Sequence, residues 1–386
     1  MKHGFIVPLI GGQAIGQSLA FGSAPSLLRS WPDFAENDSH ARAWWPDTPF
    51  ELIGEPLKAF KGIDVIGSTC PCAGLSTLSR VSSSSSKVND WLYHAAEHVL
   101  CEINPKVYWG ENAPALSSQM GWAVANRLYS IGKRCGYTFS MYRTKSLLHG
   151  LPQVRNRTFF FFWKRDDHAV PVLPWIDRGQ VTIEEWFKTE RPKDKFSEVF
   201  IRDFKPSSMD AYRFLLERYN VDHAGFVDVL DRTIPITHFM HINGLLEEAI
   251  EWLKARGSDD LKHALQWKSK YDNMSAPFER YIVFPKTQIG AFVNPLPYVM
   301  THPFEDRFLN LREMLDLMGL PLDFTFQYNK RNLLHITQNV PVQTARDVAS
   351  LIKQYLSDEL DMTSYENGWL VFDNCRRQLI GWPAGE

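Results

Sequence analysis

FIVPLIGG, residues 5–12, runs directly into QAIGQSLAF, residues 13–21, and this junction decides the fold. The apolar run reads as a buried strand, and Gly11, Gly12 and Gly16 read as a tight turn opening a helix. Working outward, IDVIGST (63–69), KVYWGEN (106–112) and TFFFFW (158–163) are further apolar runs of strand length. Helical stretches such as DWLYHAAEHVLCEI (90–103) separate them. Strands alternating with helices predict an α/β fold, with a parallel sheet that binds ligands at the C-terminal ends of its strands.

The chain of 386 residues is 44% hydrophobic, enough for one large domain and a smaller one. It has no apolar run long enough to span a membrane, and glycines interrupt the only stretch resembling a leader. An odd count of five cysteines in a chain this large predicts free thiols and a reducing, cytoplasmic setting. The net charge of −2 does not by itself indicate nucleic acid. Any such contact must come from local basic patches, such as KTERPKDK (188–195) with Arg202 and Lys205. Standing alone, that run reads equally well as a solvated loop.

Alternation fades after Trp163, and an isolated amphipathic segment, LLEEAIEWLKAR (245–256), stands out in the middle. Its Glu247 and Glu248 are spaced to pair with Lys254 or Arg256. Regular pattern returns at 301–321 and again at 336–356, the latter predicting a final helix. We therefore expect a first catalytic and cofactor segment at 1–165, a recognition domain at 166–298, a returning catalytic segment at 299–356 and an extension at 357–386. Asn367-Gly368 predicts a hairpin turn in that extension.

Three separated segments carry the chemistry. GSTCPCAGLS (67–76) supplies Pro71 and Cys72, VYWGENAPAL (107–116) supplies Glu111 and Asn112, and LPQVRNRTFFFFW (151–163) supplies Arg155 and Arg157. A thiol can attack a ring carbon, a carboxyl can protonate or hydrogen-bond a ring nitrogen, and a guanidinium can hold a carbonyl oxygen. Two arginines at i and i+2 on a strand share a face. Each residue also has an ordinary structural reading: a buried cysteine, a strand-end cap, a pair of surface arginines. In the cofactor half, Glu36 lies about twenty residues beyond the glycines, where a carboxylate can accept both hydroxyls of a ribose. Glu55 stands at the next strand end. A Cys70-Pro71-Cys72 metal site is disfavoured, because no further Cys or His pair stands at ligand spacing, so no metal is expected.

In this order the segments resemble the cytosine-C5 DNA methyltransferases, over residues 4–163 and about 299–353. The resemblance implies a Rossmann-like class I S-adenosylmethionine (SAM) methyltransferase sheet with a smaller target-recognition domain. It implies Cys72 as nucleophile toward C6 of a cytosine, Glu111 at N3, Arg157 at O2 with Arg155 positioning it, and Asn112 ordering the loop. It implies SAM contacts from Gly11, Gly12, Gly16, Glu36, Asn37, Glu55, Pro71, Gln338 and Asn339. The family's opening Asp-Leu-Phe-x-Gly-x-Gly-Gly survives here only as Gly11-Gly12. Ala73 replaces a frequent Gln, Asn37 stands where an aromatic is common, and Asn310 replaces a Thr. The expected substrate is double-stranded DNA, its cytosine flipped out under a cover at 74–88, and the expected enzyme is a monomer in a bacterial or phage-infected cytoplasm. Structured RNA as substrate, or a catalytically silent DNA-binding homologue, are the alternatives.

Overall fold

The structure, a computed structural model, describes residues 1–54, 62–76, 83–165, 167–189, 192–273, 282–292, 298–327 and 330–385. Glu55 and residues 77–82 of the expected cover at 74–88 lie outside the described residues. The chain forms two compact units. One comprises Met1–Leu151, Arg155–Gly179 and Met318–Glu386; the other comprises Pro152–Val154 and Gln180–Leu317. The second unit thus runs mainly over 180–317, where the expected recognition domain ran over 166–298.

The first unit is built on a nine-stranded sheet. Its strands are β1 (His3–Ile6), β2 (Leu27–Ser30), β3 (Phe50–Leu52), β4 (Val65–Ser68), β5 (Val107–Asn112), β6 (Thr138–Lys145), β7 (Asn156–Trp163), β8 (Gly368–Asp373) and β9 (Gln378–Pro383). They lie in the order β9-β8-β6-β7-β5-β4-β1-β2-β3. Strands β3, β2, β1, β4 and β5 are parallel neighbours, while β7 runs antiparallel between β5 and β6. The fold is α/β with a Rossmann-like core, and the chain order reverses direction between β1 and β4.

Both faces of β7 are covered, which is why its sequence is continuously aromatic rather than alternating. Phe160 and Phe162 point into one core with Tyr108 and Phe139, and Phe159, Phe161 and Trp163 into the other with Trp109 and Tyr142. Tyr108 stacks on Phe162 at 5.6 Å, and Phe161 on Trp163 at 5.1 Å.

Helices α1 (Gly12–Phe21), α2 (Ser39–Trp44), α3 (Asp90–Glu97), α4 (Trp122–Arg134) and α5 (Val342–Leu356) flank the sheet. The predicted final helix is α5, and it packs directly on α1. A Cβ on Gly16 would stand 2.5 Å from Ala345 Cβ and 2.7 Å from the Val342 carbonyl oxygen. Gly12 is as tightly enclosed by Asn339 and Val340, and its amide donates to Asn339 Oδ1 at 2.9 Å. These two glycines thus answer first to close packing of the returning chain. The C-terminal extension does contain a hairpin, but it turns at 374–377, between β8 and β9. Asn367-Gly368 instead leads into β8; the turn is made by Asp373, whose Oδ1 accepts the Cys375 amide, and by Arg377 in the left-handed region.

In the second unit the fading alternation gives way to helices at Asp210–Tyr219, His223–Val229, Ile236–Ile242, Leu246–Ala255 and Leu261–Asp272. They enclose Tyr212, Phe226, Phe239, Trp267 and Phe284. Glu248 pairs with Arg218 at 3.3 Å and Glu247 with Lys268, both on neighbouring helices rather than with Lys254 or Arg256. Asn310, in the place of the expected Thr, caps the Leu311–Leu317 helix: its Oδ1 accepts the Glu313 amide, and its own amide donates to Glu313 Oε2, each at 2.9 Å. All five cysteines are outside disulfides. Among the described residues no helix is long and apolar enough to cross a membrane.

The Gly16 contact is testable. Gly16→Ala should destabilise the protein by about 1–3 kcal/mol despite alanine's better helix propensity, because the added methyl meets Ala345 Cβ and the backbone of Val342 and Arg346, none of which can swing aside. Urea unfolding of the two proteins measures it; equal or greater stability in the variant would contradict the packing role.

Candidate active site

In an open α/β sheet, ligands sit outside the C-terminal strand ends where the chain order reverses, here between β1 and β4. After β1 the chain makes a strained turn: Val7 and Leu9 have φ of 51° and 53°, and Gly11 has φ of 100°. A left-handed conformation costs a residue with a side chain about 1–2 kcal/mol, so this turn must be held from outside. The Leu9 amide donates to Asp38 Oδ1 at 2.7 Å. The Gly11 amide donates to the Pro8 carbonyl at 2.9 Å. From the end of β4, the Thr69 hydroxyl donates to Gln13 Oε1 at 3.1 Å.

Several buried polar atoms around this turn lack hydrogen-bond partners among the described residues: Gln13 Nε2, Asn37 Oδ1, Asp38 Oδ2 and Asn339 Nδ2. Leu9, Trp31, Phe34 and Ile53 supply partly buried apolar surface beside it. A ligand with polar and apolar parts suits that lining. The sequence reading of the second strand end needs correction. β2 closes at Ser30 and is followed by Trp31, so an aromatic does stand just beyond the strand, and the strand end itself carries no acid. Glu36 is exposed on the following turns, and Gln338 is exposed at the end of the Lys330–Gln338 helix. The buried carboxyl is Asp38, which sequence reasoning passed over. Its signal was there: an Asp preceding a short helix reads as a cap, yet its side chain caps nothing and reaches back to the β1 turn.

The candidate reacting groups come from the next strand ends. β4 leads into Thr69-Cys70-Pro71-Cys72. Cys70 is buried, its thiol 3.9 Å from Ser68 Oγ and 3.8 Å from the Trp91 carbonyl. Burial pushes that thiol up to about 12, which makes it an inert packing group. Cys72 is half-buried. β5 ends on Glu111 and Asn112; Asn112 Oδ1 accepts the Ala113 amide at 2.9 Å, and its Nδ2 lies 3.5 Å from the Pro71 carbonyl.

Because β7 is antiparallel, its N-terminal end lies beside the C-terminal end of β5, with Asn112 opposite Thr158. Arg157 therefore reaches Glu111 and forms a buried ion pair with it. Arg155 lies just before β7, 1% exposed, its carbonyl accepting the Ser146 amide. Burial and the charge of Arg157 hold its guanidinium down to about 9, opposed by Glu111 and Cys72. The Cys72 thiol is held above its usual range, first by burial and then by the negative charge of Glu111; Arg157 and Arg155 pull the other way. The expected thiolate-favouring field is thus present but outweighed. Among the described residues no cluster of ligand-type side chains suits a metal ion.

A family model described as C-5 cytosine-specific DNA methylase matches residues 52–354. No curated protein matches the sequence. Solved structures of similar fold include a protein named as a DNA modification methyltransferase encoded within an E. coli prophage, 16% identical with a TM-score of 0.55 over 92% of this chain and 99% of that one. A mutant of Spodoptera frugiperda DNMT2 is 13% identical, with a TM-score of 0.51 over 92% of this chain and 100% of that one. The Entamoeba histolytica methyltransferase EhMeth is 11% identical, with a TM-score of 0.53 over 93% and 98%. At these identities the likeness is one of fold.

Two outcomes follow from the charges. Alkylation of Cys72 by iodoacetamide should rise with pH more steeply in the alkaline range than for a free cysteine, and Glu111→Gln should speed it about fivefold at fixed pH. Mass spectrometry of the Cys72 peptide reads both, and an unchanged rate in the variant would remove Glu111 as the opposing charge. Asp38 is raised by burial to about 7, whereas in the unfolded chain it ionises near 4. The folded state thus holds the extra proton between those values, and this contribution to stability is full at low pH and lost as pH rises from about 4 to about 7. Asp38→Asn should flatten that slope in urea titrations.

Proposed function

We propose that this chain, which belongs to the C-5 cytosine-specific DNA methylase family, methylates C5 of a cytosine in DNA through a covalent bond from Cys72 to C6. What carries the reading is the convergence of Cys72, Glu111, Arg157 and Arg155 at the C-terminal end of the parallel strands, the end at which the turn after β1 also lies. The family implies SAM, and the orphaned polar atoms and apolar surface of the β1 turn fit such a ligand. Gly11, Asn37, Pro71 and Asn339 would line it, with Gly12 and Gly16 shaping the turn through packing. Bound SAM supplies an electrophilic methyl group.

The residues divide the remaining work. Cys72 Sγ adds to C6, and the electron pair of the C5–C6 bond becomes available at C5. Glu111 hydrogen-bonds or protonates N3, drawing electrons from C6. Arg157 donates to O2, Arg155 positions it, and Asn112 orders the Pro71 loop. Loss of the C5 proton then expels Cys72 and restores the ring. In a duplex the base must first leave the stack. The second unit reads the flanking sequence, with Lys188, Lys195 and Arg202, all set over aromatic rings, as candidate DNA contacts.

The test is incubation with tritiated SAM and DNA containing 5-fluorocytosine, with a matched RNA in parallel. Wild type should form a labelled, denaturation-resistant adduct with DNA, and Cys72→Ser none. An adduct with RNA alone would transfer the reading to RNA. No transfer to either polymer by folded protein would favour a silent homologue.

A further inference from the structure

Arg157 is the second residue of β7, and two contacts fix that end of the strand. Across the ladder its partner is Thr144, the penultimate residue of β6, so the two side chains share a face. Two residues earlier in the chain, the Arg155 carbonyl accepts the Ser146 amide at 3.1 Å. Thr144 and Ser146 are in turn held by side chains from elsewhere. The Thr144 hydroxyl accepts from Asn374 Nδ2 at 3.0 Å and lies 2.9 Å from His149 Nε2. With Asn374 donating, the hydroxyl proton goes to Nε2, which leaves the Nδ1 proton of His149 for Asp347 Oδ2 at 2.9 Å. Asp347 stands on α5, and Arg178 donates to its two oxygens from Nε and Nη2 at 2.7 and 2.6 Å. One turn earlier on the same helix, the Thr344 hydroxyl donates to Ser146 Oγ at 3.3 Å. Thr144, Ser146, His149, Thr344 and Asp347 are all buried. A buried ionic network adds little net stability, because desolvation offsets its attraction; what it fixes is geometry.

We propose that His149 and Asp347 are positioning residues for Arg157: through Thr144 and Ser146 they tie the start of β7 to α5, so that helix sets where the guanidinium meets Glu111. Neither residue touches the reacting atoms, and the proposal rests on the role given to Arg157 above. Its ion pair with Glu111 is formed across β5 and β7, but those two strands leave the other edge of β7 to β6. The network braces that edge. An Arg157 that loses it keeps its charge and loses its place, which separates the loss of the brace from the loss of the residue.

The test compares the pH profile of Cys72 alkylation in the full chain for wild type, His149→Phe, Arg157→Gln and the double variant. Mass spectrometry reads it, with the exposed Cys101 as internal control. Phenylalanine keeps the bulk of the imidazole and loses both of its bonds. Arg157 is among the charges that draw the Cys72 thiol down. His149→Phe should therefore raise the midpoint by about half a pH unit, roughly threefold slower alkylation at a fixed pH below it. In the Arg157→Gln background it should add nothing, because the residue it positions is gone. Should His149→Phe fail to fold, Arg178→Ala loosens Asp347 from the exposed end of the network and should shift the midpoint in the same direction. In the 5-fluorocytosine assay, His149→Phe should slow adduct formation at saturating DNA about tenfold and leave the half-saturating DNA concentration within about twofold. A folded variant with the wild-type midpoint, or shifts that add in the double variant, overturns the proposal. A wild type that forms no adduct takes down the methyltransferase reading, while the alkylation profiles still decide whether the network places Arg157.

Discussion

The antiparallel strand Asn156–Trp163 is the constraint on which the rest of the first unit depends. Five consecutive aromatic residues, Phe159 to Trp163, are fully buried, alternately in the two cores of the sheet. Aromatic side chains bury more area than any others, so this register cannot slip by one residue without exchanging every ring between the two cores. Its direction matters as much as its burial. An antiparallel strand delivers its N-terminal residues to the end of the sheet where parallel strands deliver their C-terminal ones. Arg157 therefore meets Glu111 without a loop to carry it, and Arg155 comes along by chain connectivity.

Much of this was legible in the sequence because apolar runs flanked by glycines and helical periods leave few topologies. Cys72, Glu111, Arg155 and Arg157 stood in segments whose residue types carry their chemistry openly, and the structure brings them together. The cofactor side was harder to read. Glu36 attracted attention because it sits at a familiar distance from the glycines, but distance along the chain counts turns as if they were strand. β2 ends six residues earlier, at Ser30, and WPDFAEN is spent on turns. Gly12 and Gly16 likewise looked like ligand-facing residues, while their close neighbours belong to a segment more than three hundred residues away. Local sequence does not announce a partner that distant.

The middle of the chain shows a different limit. Five helices fill 210–272, yet only Leu246–Ala255 stood out by its pattern. The others are short or carry aromatic and histidine residues whose burial depends on tertiary contacts, among them Tyr212 with His223 and Phe226. For such helices packing outweighs propensity, so their period is visible only once neighbours are in place.

The bond from Gly12 to Asn339 spans 327 residues. It has a consequence for how the protein comes into being. A chain made from its N-terminus extrudes the β1 turn long before the segment that braces it. Closing so long a loop is entropically slow, and its native contacts reward it only at the end. This end of the sheet is therefore completed only after Asn339 has been made. A polypeptide interrupted before Asn339 carries Cys72, Glu111 and Arg157 but leaves the β1 turn without its brace.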